Sequence, residues 1–392
     1  MAANPSIQLG TDGNWAIKED NLLAYKKDGN RFFNKEFDFS RATSATRVNK
    51  QGLIETVATD KPRIDFLNNT KGHLLLEPQR TNLVPYSEDL TTRWTTSAAT
   101  ITADTQISPD GNQTADKITV TSNSGGVYSD NITVIASTSY TFSFYVKRGT
   151  ISDSETALAV RNQTAGTFIN IDTSYSANAD NWTRIEHTFT TPVGCTSVRL
   201  YPQRLSNGGQ GTIFVWGCQL EAGSATSYIP TSGSAVTRSA ETNYQQNVTQ
   251  VIGQSEGTMY IEFVPKDTSA TQILYQVRSS SGTIGQIDIR LTGGNISTLA
   301  NDGGSSQFSM GFTSYSAGTT YKVAVRYKLN DSKIYINGSS VGSDTSCSFT
   351  GSSLDQISFA ENLTSLVPVA DILDARLYDT GLSDAELQAL TS

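Results

Sequence analysis

The chain has 392 residues, a length that usually divides into two or three domains rather than growing one core. Only 17 % of its residues are charged and 37 % are hydrophobic, so Gly, Ser, Thr, Asn and Gln fill much of the rest, as in chains of short strands and turns. Lys and Arg number 29 against 37 Asp and Glu, and a net charge of −8 with no basic run disfavours nucleic acid and anionic lipid.

Met1-Ala2-Ala3-Asn4-Pro5 has neither a basic stretch nor an apolar one, so no export signal is read and assembly in a cytoplasm is expected. Apolar runs such as Leu74-Leu75-Leu76 are too short for membrane insertion. Residues 1–84 read as an irregular module. Its turn dipeptides Asp12-Gly13 and Asp28-Gly29 separate short pieces such as Asn21–Tyr25 and Phe32-Phe33. With no core of adequate size, this module is expected to pack on a neighbour and to serve attachment or assembly.

Residues 85–238 alternate with period two. Tyr140, Phe142, Phe144 and Val146 share one face of a strand, and Thr141, Ser143, Tyr145 and Lys147 the other. Further strands follow around Leu158 and Val160, Ile185 and Phe189, Val198 and Leu200, and Thr212–Leu220, separated by Gly, Asn and Ser. An antiparallel sandwich is predicted. Residues 239–392 repeat this logic with Met259–Phe263 and Tyr321–Tyr327. Asn337-Gly338 predicts a type I′ hairpin between Lys333–Ile336 and Ser339–Val341. Ser383-Asp384-Ala385-Glu386 is a capping box before Leu387 and Leu390, so one short helix closes the chain. Ser44–Arg47 echoes Ser234–Arg238, as equivalent connectors or by coincidence.

The run Ser40-Arg41-Ala42-Thr43-Ser44-Ala45-Thr46-Arg47-Val48-Asn49, with Gly52–Glu55 and Leu74-Leu75-Leu76-Glu77-Pro78-Gln79-Arg80-Thr81-Asn82-Leu83, resembles a module of tailed-bacteriophage structural and fibre proteins. Trp216–Ser224 with Thr226–Thr231 resembles the end of the carbohydrate-binding-module-like jelly roll that follows it. Tyr321–Tyr327, Ile334–Gly338 and Leu377–Leu387 are similar to concanavalin A-like (laminin-G-like) sandwiches. Together these runs cover most of the chain after residue 37. The first two are fairly specific for phage proteins, the third for fold alone.

The resemblance implies an all-β chain: an N-terminal module over 1–84, a jelly roll over 85–238 and a concanavalin A-like sandwich over 239–392. It implies a virion component, a tail or head fibre or a decoration protein, with homotrimers as the usual arrangement.

Sugar binding needs aromatic faces for a pyranose and Arg, Asn, Gln or Asp for its hydroxyls. Period-two reading places Tyr145, Arg161, Arg199 and Tyr201 on the solvent side, opposite Phe144, Val160, Val198 and Leu200. Gln203 and Arg204 follow at a strand end, and Trp94 and Tyr128 are expected in loops. These eight are the candidate glycan contacts; an ordinary polar face, or one buried between subunits, is the plainer reading. Trp182 and Trp216 are expected in the core. Cys195, Cys218 and Cys347 are too few and scattered for a disulfide framework or zinc site, although Cys195 and Cys218 could face each other on neighbouring strands. His73 and His187 are the only histidines, and His187 reads as a packed strand residue beside Ile185 and Phe189. Thiol chemistry and His-based sites are thereby largely excluded.

No cofactor is expected. Calcium could be held only by loops carrying Arg278, Asp288, Arg290, Asn301 and Asp302, which lack a compact Asp/Asn loop. A glycan depolymerase needs two carboxylates across a cleft. Tyr260-Ile261-Glu262-Phe263 and Gln286-Ile287-Asp288-Ile289-Arg290 offer one each, with no Glu-x-Asp-x-Glu cluster. The expectation is therefore a non-enzymatic adhesin for host-surface polysaccharide, displayed on the virion beside other virion proteins. A purely structural protein and a depolymerase are the alternatives.

Overall fold

The computed structural model describes residues 4–18, 21–28, 31–268, 271–281, 285–350, 353–360 and 366–392, with backbone alone at 26–28 and 31–35. Gly29 of the Asp28-Gly29 turn and Met1-Ala2-Ala3 of the N-terminal reading lie outside the described residues, as does the Phe32-Phe33 side-chain pair. The chain is all-β, with short 3-10 turns and the α-helix Asp384–Thr391.

Two units form, and their division is not sequential. One gathers Met1–Ser44, Val57–Gln79 and Ser239–Ser392; the other gathers Ala45–Thr56 and Arg80–Arg238. The separate module expected over 1–84 is therefore absent from the fold. Lacking a core of their own, its strands before residue 41 and over 64–76 instead join the sheets of the C-terminal sandwich, while Ala45–Val48 pairs with Ile54–Val57 and Arg80–Asn82 with Val236–Arg238. Ile7 pairs with Leu377, Ser40 with Thr242, and Leu74 with Ile372, all antiparallel. Only the break near residue 238 keeps its expected place.

In the first unit, Ala370–Tyr378, Glu256–Pro265, Tyr321–Lys328 and Ser332–Ile336 lie side by side in one layer. Thr242–Gln246, Gln356–Ser358, Gln272–Arg278, Gln286–Thr292 and Asn295–Asp302 form the other. Ile261, Val323 and Ala375 from the first layer share a buried cluster with Val277, Ile289 and Ile357 from the second. Period two explains this arrangement, since each strand gives one face to the core. Asn337 and Gly338 both take positive φ, 46° and 79°, between Ile336 and Ser339, as a type I′ turn requires. Ser383 caps the helix, and Leu387 seats it on Tyr260, Tyr335 and Tyr378.

The second unit is a sandwich of a five-stranded and a four-stranded sheet. The five-stranded sheet runs Ala99–Gln106, Ala115–Val120, Gly211–Ala222, Ser139–Arg148, Thr183–Thr190. The four-stranded sheet runs Ile132–Thr133, Ser197–Tyr201, Ala157–Asn162, Thr167–Ser174. A three-stranded ribbon of Trp94–Ser97, Gly126–Ser129 and Gln203–Arg204 flanks them. Phe142, Phe144, Val146, Val160, Val198 and Leu200 meet in one core, as the alternation predicts. All three cysteines are buried free thiols, and His187 stacks on Phe189 with ring centroids 6.2 Å apart. Arg47 and Arg238, the ends of the echoed runs, differ in setting: Arg47 pairs with Glu55 at the surface, while Arg238 is buried against Thr226 and Ser227.

Candidate functional site

Alternation fixes which face of a strand leaves the core, but not the sheet to which the strand belongs. That separates the eight candidate residues. Arg161, Arg199 and Tyr201 lie on the outer face of the four-stranded sheet, where Arg161 is the register partner of Arg199 and Phe168. Tyr128 and Arg204 come in from the adjoining ribbon. Tyr145 belongs to the five-stranded sheet, edge-on to Trp216 at 5.7 Å with Arg184 over its ring, and is no part of this group.

Two more corrections follow. Trp94 is in a strand rather than a loop; its indole is buried in the core and its Nε1–H donates to the Tyr86 carbonyl at 3.2 Å. Gln203 is fully buried and structural, because its Nε2 donates to the Glu155 carbonyl while its Oε1 accepts from Ala157 N–H and the Tyr175 hydroxyl. Tyr128 is likewise in a strand, but half-exposed, on the outer face.

The remaining residues enclose a depression of about 280 Å³, lined by Tyr128, Arg161, Phe168, Tyr201 and Arg204 with Ser97, Ser124 and Gly126. Gly126 leaves its wall bare, since a Cβ there would sit 2.2 Å from the Gln203 carbonyl oxygen. The Tyr201 ring packs at 5.1 Å from Tyr128 and 5.8 Å from Phe168, which covers most of it and explains its burial. Phe168 is the member that sequence reading missed. Its strand pattern is weak, and only its register with Arg161 places it here.

Guanidiniums lie over these rings: Arg199 over Tyr128 at 4.9 Å, and Arg204 and Arg161 over Phe168 at 4.7 and 5.9 Å. Arg199 Nε donates to Asn131 Oδ1 at 2.8 Å, and Arg161 Nη2 donates to the Gly166 carbonyl at 3.0 Å. Arg204 Nη1 is buried without a hydrogen-bond partner among the described residues. Burial pushes the Tyr201 hydroxyl above its ordinary pKa, against the pull of Arg161, Arg199 and Arg204. The site therefore offers aromatic edges and guanidinium donors, and none of its lining residues is a carboxylate.

The first unit has a second cleft, of about 460 Å³, with mixed charge: Asp12, Lys71, Glu262, Lys322, Asp374 and Arg376. Glu262 is the register partner of Asp374, a carboxylate pair that reading each strand alone does not reveal. Asp374 is buried and accepts from Thr11 Oγ1 at 2.8 Å and from Arg376. The residues considered for calcium lie in strands rather than loops, and Asp288 is held by Arg290.

No family model matches the chain, and no curated protein matches it in sequence. Among solved structures, the CBM40 of a Ruminococcus gnavus IT-sialidase is 17 % identical, covering 38 % of this chain and 91 % of its own, with a TM-score of 0.32. Domain 4 of AbnA, a GH43 extracellular arabinanase from Geobacillus stearothermophilus in complex with arabinotriose, is 14 % identical over 39 % and 73 %, with a TM-score of 0.32. A heptameric SAP-like pentraxin from Limulus polyphemus is 12 % identical over 36 % and 74 %, with a TM-score of 0.28. Likenesses of that size assign neither a family nor a ligand.

Proposed function

We propose that the second unit is a non-enzymatic saccharide-binding module of a bacteriophage appendage, engaging host-surface polysaccharide on the outer face of its four-stranded sheet. One observation carries this reading. Residues drawn from several strands converge on one depression, where Tyr128, Phe168 and Tyr201 lie beside the donors of Arg161 and Arg204. Rings that shed water and planar donors that pair with oxygen are what a pyranose requires, and such sites are few on a surface. The phage setting rests on the runs Ser40–Asn49 and Leu74–Leu83. A single shallow site binds weakly. Copies on one fibre, three in the usual arrangement, multiply it through effective concentration.

The test is binding of the purified chain to bacterial envelope polysaccharides, with Tyr128→Ala as the comparison. Saturable binding that falls at least tenfold in the variant, at unchanged melting temperature, is expected. If no polysaccharide binds while another virion protein does, and Tyr128→Ala weakens that contact, the structural reading replaces this one.

A further inference from the structure

We infer that the saccharide recognised at this face is acidic, with a carboxylate seated against Arg161 and Arg204; the inference rests on the saccharide-binding reading above. Many arginines elsewhere in the chain meet acids: Arg41 and Arg63 meet Glu241, Arg290 meets Asp288, Arg326 meets Asp331 and Arg376 meets Asp374, whereas Arg148 donates to the carbonyls of Ala177 and Ile151. Arg161, Arg199 and Arg204 have no ion-pair partner among the described residues, although the chain carries an excess of acids.

Three like charges held on one face repel one another, and the rings beneath them supply only part of the relief. Arg204 bears this cost most, because its Nη1 is shielded from water and has no hydrogen-bond partner among the described residues. An oxyanion against the Arg161 and Arg204 side chains that line the depression offsets the repulsion directly. The planar fork of a guanidinium matches a carboxylate with two parallel hydrogen bonds, and charge-assisted bonds of this kind are about twice as strong as neutral ones. A neutral sugar gains less here. Guanidiniums already cover faces of Tyr128 and Phe168, and the Tyr201 ring is nearly enclosed by its neighbours, which limits stacking area.

The experiment titrates the full chain with oligomers of glucuronate, galacturonate and N-acetylneuraminate, each beside its carboxyl-reduced counterpart, at low and high salt. We expect at least one acidic oligomer to bind, its reduced form to bind at least tenfold more weakly, and salt to erode the difference. Arg204→Gln should abolish the preference in a chain that still melts cooperatively, since among the described residues no hydrogen bond is made by its Nη1, and Arg204→Lys should restore part of the preference. Equal binding of acidic and reduced forms overturns the inference and leaves the saccharide reading standing. So does binding of neutral polysaccharide alone. If neither acidic nor neutral saccharide binds, both fall.

Discussion

Arg41 and Glu241, 200 residues apart in sequence, meet at 2.7 Å with neither side chain exposed to solvent. Glu241 also accepts from Arg63 Nε at 2.7 Å and from the Glu77 N–H at 2.9 Å, and Arg63 reaches Glu77 at 2.8 Å. Arg41 and Glu77 belong to the runs Ser40–Asn49 and Leu74–Leu83. Their role in this fold is to tie three separated stretches of the first unit together with buried charge. Removing one member strands the others without a counter-charge, at a cost of about 3–5 kcal/mol. Glu241→Gln should therefore lower the denaturation midpoint of the first unit steeply, with no effect on saccharide binding. A variant that unfolds like the parent would show that the network contributes nothing net.

Tyr145 and Tyr128 look alike in an alternation diagram but should fail differently. Tyr145 wedges between Trp216 and Arg184 on the other sheet, so Tyr145→Ala should cost about 1–3 kcal/mol of stability in lost packing. Its saccharide affinity, measured below the melting transition, should stay within twofold of the parent. Tyr128→Ala should do the reverse. If Tyr145→Ala abolishes binding while fully folded, the site has been placed on the wrong sheet.

The contrast shows what a single sequence discloses. Strand identity, the core face and the Asn337-Gly338 hairpin depend on neighbours a few residues away, so they were legible. Sheet membership depends on which strands pair across long separations, as Arg161 does with Arg199 and with Phe168. Alternation is silent on that point. It therefore put Tyr145 and Tyr201 on one face, and it missed both Phe168 and the pairing of Glu262 with Asp374. The same silence hides the place of the first-unit strands before residue 79: they show no core of their own, and Ile7–Leu9, Ser40 and Leu74–Leu76 find partners beyond residue 239.

Asn243 is fully buried opposite Phe39, and neither atom of its side-chain amide has a hydrogen-bond partner among the described residues. An unsatisfied buried polar group costs about 1–3 kcal/mol, and valine suits a strand position. Asn243→Val should raise the melting temperature of the first unit. A lower value would mean that the amide is served by a trapped water.

Asp116 is buried in the second unit, where its carboxylate accepts from Leu90 N–H at 2.7 Å and Asp104 N–H at 3.0 Å. Burial outweighs those bonds and pushes its pKa up to about 6. The folded state then holds this proton more tightly than the unfolded chain does. Its contribution is fully present below the ordinary carboxylate value and is lost as the pH rises through about 6. An NMR titration of the Asp116 carboxyl carbon should show a midpoint near 6; a midpoint at or below 4 would refute the reading.

The carboxylate pair in the first unit deserves the sharpest test, because geometry alone would admit catalysis. Directly opposed residues on antiparallel strands hold their Cβ atoms about 4.5–5.5 Å apart, close to the carboxyl spacing of about 5–5.5 Å in retaining glycosidases. Spacing is only half the requirement, since one acid must present a proton to the leaving oxygen and the other an unencumbered oxygen to carbon. Asp374 is engaged by Thr11 and by Arg376 and is almost closed to solvent, while Glu262 has Lys322 as its other register partner. Both acids are thus better placed to hold the sheet face and its cations than to attack a sugar. Prolonged incubation with a bound polysaccharide should release no new reducing ends. Release that disappears in Glu262→Gln while binding persists would make the cleft an active site and the chain a depolymerase.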